Sequence, residues 1–266
     1  LKQYGGLFFK KTAKQPARIH LDQKFQSKLD DYSTYLFDGT ATIDPTYEGE
    51  ALAPAGEPIS YSKLHLHIKE KQFNKTKLTR SEMSKEISLD EIIRDIHDIQ
   101  FYHPMKTILI ITTKGFEDTL KNRINELNLP GITVDHYQNL RGKNEYQEMG
   151  IVYFTHINQK PWSFYISYAS AILGRDIILK EDLTTQNKQG SRGKHGFNST
   201  IIDELRCVEI VTDLIQSIYR TEIRRMNHND VHVYIGITDI TILKWLFEYF
   251  EDVTVSAWEP NSKHPE

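Results

Sequence analysis

Residues 107–112 read TILIIT, a continuous apolar run framed by two threonines. Such a run suits a strand covered on both of its faces, as strands of parallel sheets are. The flanking sequence fits that reading. Upstream, Ser88 with Glu91 forms a capping-box pattern, and Ile92, Ile93, Ile96 and Ile99 make the apolar stripe of a helix. Downstream, Leu120, Ile124 and Leu127 share one helical face, and GITVDHY (131–137) and GIVYFTHI (150–157) read as further strands. An aromatic helix from Trp162 to about Leu173 follows, and then a polar, glycine-containing loop, TTQNKQGSRGKHGFNST (184–200). A long helix, the strand VHVYIG (231–236), the helix ITILKWLFEYF (240–250) and the strand DVTVSA (252–257) complete the pattern. Strand and helix alternate at short intervals from 88 to 257, which predicts an α/β fold: a mainly parallel sheet with helices on both faces. In such sheets ligands sit at the carboxyl ends of the strands.

The first third of the chain has a different texture. TYLF (34–37) is a short β-prone run that exits through DGTATIDP, punctuated by Gly39 and Pro45. EGEALAPAGEPIS (48–60) reads as a linker or exposed loop. LHLHIKE (64–70) alternates with period two, the pattern of an edge strand or a hairpin arm, and its His65 and His67 point to the same face. Two histidines alone do not make a metal site, and the neighbouring sequence supplies no further ligands, so no metal is expected.

Bulk properties narrow the function. At 266 residues the chain can bury one large core or two smaller ones. A formal net charge of −3 excludes a polycation, so any phosphate contact must come from a local patch. Cys207 is the single cysteine, which rules out an internal disulfide; with no signal peptide in view, a reducing cytoplasm is expected. No apolar run approaches the roughly twenty residues needed to span a bilayer. Because the sequence begins at Leu1, the chain is expected to be part of a longer protein.

The chemistry lies near the C-terminus, in QSIYRTEIRR (216–225). Gln216, Arg220 and Arg224 recur at every fourth residue, one stripe if the segment is helical. The stripe is either a solvated face or an anion site, since a guanidinium matches a phosphate two oxygens at a time. No complete phosphate loop is present: Gly142-Lys143-Asn144 and Gly193-Lys194-His195 fail in spacing and in their last residue.

Four segments in order resemble superfamily one and two helicases. LFDGTAT (36–42) resembles motif III, which closes a strand of the first motor domain. TILIITTKG (107–115) resembles motif IV, HYQNLRGKNEYQEMGIVYF (136–154) motif V, and QSIYRTEIRR motif VI. The resemblance implies a RecA-like sheet at 101–266 as the second motor domain, a linker or insertion with a hairpin and a helix at 46–100, and the tail of a first RecA-like domain at 1–45. It implies that Gln216 and Arg220 face the γ-phosphate of ATP held by the first domain. The family's second arginine often stands where this chain has Ile223, so Arg224 or Arg225 takes its place, with Arg224 preferred because it continues the stripe. Gly142, Lys143 and Asn144 either line the cleft near nucleotide or nucleic-acid backbone or form a plain turn. Thr40 and Thr42 either couple the two domains or cap a strand exit. Lys114 either touches nucleic-acid phosphate or is solvated, and Arg192, Lys194 and His195 form a small basic cluster. ATP and Mg²⁺ are the implied cofactors, bound by upstream sequence and not by this chain alone. The implied partners are a nucleic-acid strand, with DNA preferred to RNA, and the first motor domain, with no membrane. Two alternatives stand beside a helicase: an ATP-driven translocase or remodeller, and an inert module that docks an acidic partner.

Overall fold

The computed structural model describes residues 5–12, 15–23, 63–69, 86–140, 143–173, 197, 199–225, 229–236, 239–250 and 252–260. They fall into two compact units, one from 1–58 with 159–212 and the other from 59–158 with 213–266. The expected features at 34–37, 48–60 and 184–196 lie outside the described residues, as do Thr40, Thr42, Gly142, Arg192, Lys194 and His195.

The first unit contains an unanticipated hairpin, β1 (Gly5–Thr12) and β2 (Gln15–Gln23), paired antiparallel. Helix α3 (Trp162–Leu173) lies against both strands. A small cluster joins Tyr165, Ile166 and Ala169 of α3 to Phe197, Ile202 and Leu205. The last two sit near the start of α4 (Thr200–Ile218), whose final turns belong to the second unit.

The second unit is built on a six-stranded sheet. Its strands are β3 (Leu64–Lys69), β4 (Ile108–Thr112), β5 (Ile132–His136), β6 (Ile151–Phe154), β7 (Val231–Ile235) and β8 (Val253–Trp258), in the order β5-β4-β6-β7-β3-β8. Every pairing is parallel. The parallel α/β sheet expected from TILIIT and its neighbours is therefore present, with β4 and β6 buried along their whole lengths. Helices α1 (Glu86–Tyr102), α2 (Lys114–Glu126) and α5 (Ile240–Tyr249) belong to the same unit. No helix among the described residues is long and apolar enough to cross a membrane.

Two expectations are corrected here. β3 is not an edge strand or hairpin arm; it lies between β7 and β8, hydrogen-bonded to both. Its alternation arises because Leu64 and Leu66 are buried on one face while His65 and His67 are half-buried on the other. Together with α1 it belongs to the sheet-bearing unit. In α1 the helix begins at Glu86, so Ser88 lies inside the first turn rather than capping it. Glu91 is turned inward instead, its Oε1 accepting from Lys69 Nζ at 2.8 Å.

The register explains the face under α1. Val134, Ile110, Tyr153, Tyr234, His67 and Ser256 are aligned across all six strands. Ile92, Ile93, Ile96 and Ile99 of α1 and Phe116, Leu120 and Ile124 of α2 join Ile108, Ile110, Val134, Ile151 and Tyr153 in one core. On the β3 side the same face is polar. Lys69 Nζ reaches Asp95 Oδ2 at 2.6 Å, Tyr153 donates to the same oxygen at 2.6 Å, and Trp258 Nε1 donates to Asp98 at 2.8 Å.

Candidate functional site

The site begins where β4 and β5 end. β4 runs into α2 through Thr113, whose carbonyl accepts from the amides of Phe116 and Glu117. Lys114, the first residue of α2, is exposed. One turn on, Glu117 meets the end of β5: its Oε2 lies 2.6 Å from His136 Nδ1, while its other oxygen accepts from Lys121. Burial would raise the Glu117 pKa, but the bonds from Lys121 and His136 outweigh it and hold the carboxyl below its ordinary range.

Asp135, next to His136, is a buried carboxylate inside a strand. Its Oδ1 accepts from the His136 amide and from Asn139 Nδ2, both at 2.8 Å. Its Oδ2 accepts from Lys143 Nζ at 3.1 Å and from the Tyr146 hydroxyl. Burial alone would raise this pKa; the four donors, led by Tyr146, lower it instead, so Asp135 stays ionised. Lys143 is correspondingly kept charged. Its desolvation is overcome by Glu145, Tyr146 and Asp135, and the pKa rises. Its ammonium also reaches Glu145 Oε1 at 3.0 Å and stands 5.6 Å from the centre of the Tyr146 ring.

The expected arginine enters from the far side of this loop. Arg220 Nη1 donates to the Lys143 carbonyl at 3.4 Å, so two of the segments singled out in the sequence touch. A continuous string of contacts results: Glu117 to His136, Asp135 to Lys143, and Lys143 to Arg220. Asn144 lies on the same loop, exposed, and its carbonyl accepts from the Gln147 amide at 3.4 Å.

The stripe of Gln216, Arg220 and Arg224 does not lie on one helix. α4 stops at Ile218, with Gln216 in its last turn, Arg220 in the turn beyond and Arg224 at the end of a separate 3₁₀ turn, Glu222–Arg224. The cause is a change of hydrogen-bond partners. Tyr219 still bonds back to Ile215, but Arg220 and Thr221 bond three residues back to Ser217 and Ile218, and the Thr221 hydroxyl donates to the Ile218 carbonyl at 2.6 Å. The Glu222 amide then leaves the helical ladder for the Met149 carbonyl, 3.1 Å away at the amino end of β6. Arg225 donates to Glu148 Oε1 at 2.9 Å on the surface, and the Arg224 side chain lies outside the described atoms.

Sequence reading missed Asp135 and Tyr146, which hold Lys143 in place. One signal was available: an aspartate inside ITVDH, where an apolar strand residue is the norm. Glu117, Asp135 and His136 each offer one ligand atom within 4.8 Å of the others. Those oxygens already accept from lysine, tyrosine, asparagine and backbone donors, so the group reads as a positioning network rather than a metal centre. An open groove at the amino ends of the strands includes Lys106, Glu148, Glu222 and Asp230 in its lining, and three carboxylates against one lysine do not suit a phosphate.

No protein-family model matches the chain, and no curated protein matches it. Two solved structures resemble it. A Leu-to-Val variant of S. cerevisiae Dbp5 bound to RNA and ADP BeF3 aligns with a TM-score of 0.39 at 8% identity over 86% of this chain and 45% of that one. The C-terminal domain of the DEAD-box protein Dbp5 aligns with a TM-score of 0.34 at 11% identity over 74% of this chain and 88% of that one. This chain thus spans less than half the length of the first. Both scores fall below 0.5, a level at which likeness assigns a role to no residue.

Proposed function

We propose that the sheet-bearing unit is the second motor domain of an ATP-dependent, RecA-like helicase. In that reading it acts on ATP and Mg²⁺ bound by an upstream domain and holds the backbone of a nucleic-acid strand. The observation that carries the proposal is the contact from Arg220 Nη1 to the Lys143 carbonyl. Two segments 77 positions apart, each singled out for phosphate chemistry, meet in the unit built on that parallel sheet.

In this proposal Arg220 is the arginine finger. The hydrogen bond to Lys143 and the tight turn after Ile218 aim its guanidinium, which stabilises the charge that spreads over the transferring phosphoryl group. Gln216, half-buried one turn earlier, and Arg224 are the further residues assigned to the phosphates. Lys143, its ammonium fixed by Asp135 and Tyr146, lines the cleft with Gly142 and Asn144 beside nucleotide or nucleic-acid backbone. Lys114, exposed at the start of α2, contacts the strand's phosphates, and Thr40 and Thr42 couple closure to the first domain. Contacts of this kind to backbone are insensitive to base identity.

The test is steady-state ATP turnover by the full-length protein with single-stranded nucleic acid. Arg220→Ala is expected to leave nucleotide affinity within a few-fold while lowering turnover by about a thousandfold or more, because the contact matters mainly in the transition state. Arg220→Lys restores little, since an ammonium lacks the planar fork. Wild-type turnover in Arg220→Ala would refute the proposal.

A further inference from the structure

The strand order gathers histidines that the sequence keeps far apart. β3 carries His65 and His67 on one face, and its neighbour β7 places His232 in register with His65. His103, the residue after α1 ends at Tyr102, comes down onto the same patch, its ring centre 4.1 Å from that of His232. One ring nitrogen from each of His67, His103 and His232 lies within 4.8 Å of the corresponding nitrogens of the other two. His67 Nε2 and His232 Nδ1 are 3.1 Å apart. Zinc bound tetrahedrally at about 2.0–2.1 Å from each nitrogen requires its ligands to stand about 3.3 Å from one another. The His67–His232 pair already stands near that spacing.

We propose that His67, His103 and His232 form a binding site for a divalent transition-metal ion of the zinc class, with the fourth position open to water.

The surroundings are those of a metal site. Ligating histidines use their second nitrogen for a hydrogen bond that fixes tautomer and ring orientation. His67 has Ser256 Oγ 2.8 Å from Nδ1, and the tautomer protonated at Nδ1 and donating to that hydroxyl presents Nε2 to an ion. His103 is oriented by the Tyr234 hydroxyl, 2.7 Å from Nε2. The Tyr234 ring is stacked on His67, with centres 4.3 Å apart. His65, stacked on His232 at 4.7 Å, is itself held by Asp230 Oδ2 at 3.0 Å and Thr254 Oγ1 at 2.7 Å, which brings a carboxylate close to the cluster.

Burial and the neighbouring positive charge keep these rings neutral at physiological pH. Desolvation, with the nearby histidines, lowers His67 to about 4, and desolvation with His103, Lys106 and the other histidines lowers His232 to about 2. His103 is lowered for the same reasons. Neutral imidazole is the form that binds metal, so no proton has to leave a cationic ring before the ion enters. The site joins the end of α1 to β3 and β7, so occupancy stabilises the sheet-bearing unit, by an amount that grows with the logarithm of metal concentration above Kd.

The test uses the 266-residue chain, freed of metal with a chelator and titrated with Zn²⁺ alone and with Co²⁺ alone. One equivalent of each should bind, with Co²⁺ giving the visible absorption of a tetrahedral nitrogen site and Zn²⁺ raising Tm. His232→Ala and His103→Ala should each weaken Zn²⁺ by about a hundredfold or more, and Ser256→Ala by about tenfold, as loss of a ligand and of its orienting partner do. His97→Ala, on the exposed face of α1, should bind as wild type does. A variant that fails to fold leaves the Co²⁺ spectrum of the wild-type chain as the deciding measurement. Absence of a stoichiometric Co²⁺ spectrum, or Zn²⁺ affinity unchanged in both folded histidine variants, overturns the proposal.

Discussion

Lys69 governs how α1 meets the sheet. It is 1% exposed, and its ammonium is shared between Glu91 and Asp95. Two carboxylates around one ammonium leave an excess of negative charge, and burial is the largest influence on Asp95, raising its pKa to about 6 against the attraction of Lys69. An acid whose folded pKa lies above its unfolded value binds more protons when folded. Its contribution is therefore fully present below about pH 4 and is lost as pH rises through about 6. Lys69→Met removes the cation and strands both carboxylates, at a cost of about 3–5 kcal/mol near pH 7.5. The cost should shrink at pH 5, where Asp95 takes a proton more readily. Urea denaturation of both proteins at the two pH values checks this; a cost independent of pH would contradict the account.

At the scale of elements, β3 and α4 show what local sequence conveys and what it leaves out. TILIIT and VHVYI were legible because a strand covered on both faces must be apolar at nearly every position. β3 reads as a half-buried strand, and its residues do alternate in burial, but its place between β7 and β8 depends on chain 160 residues and more away. An interior strand should behave as one. Leu66, fully buried, should cost about 2–5 kcal/mol on change to alanine. Amide exchange in Leu64–Lys69 should be as slow as in β7 and open only with global unfolding. Fast exchange there, as at a frayed edge, would contradict the strand order. The end of α4 was illegible for the opposite reason. QSIYRTEIRR keeps a helical period through Arg224, yet the chain turns after Ile218 because the Glu222 amide finds the Met149 carbonyl. A tertiary bond overrides the local pattern, so the three polar residues lie along a helix end and two turns rather than on one helix.

For the whole molecule, the parallel sheet unites segments whose order along the chain suggested a motor domain. The meeting of Arg220 with Lys143 was not legible, since spacing within either segment does not disclose the other. The aspartate that fixes Lys143 was hidden because a buried charge in a strand reads as an exception until its four donors are seen. The central claim is that Arg220 completes an ATP site whose phosphate-binding half lies on another domain. Its most direct test is a structure of the full-length protein with Mg²⁺, ADP and a γ-phosphate mimic, in which the distance from the Arg220 guanidinium to the mimic is measured. The account predicts a charge-assisted contact of about 2.7–2.9 Å, with the Lys143 carbonyl still bound to Arg220. A nucleotide site fully occupied and closed, with Arg220 turned to solvent and no residue of 213–225 on the phosphate mimic, would contradict it.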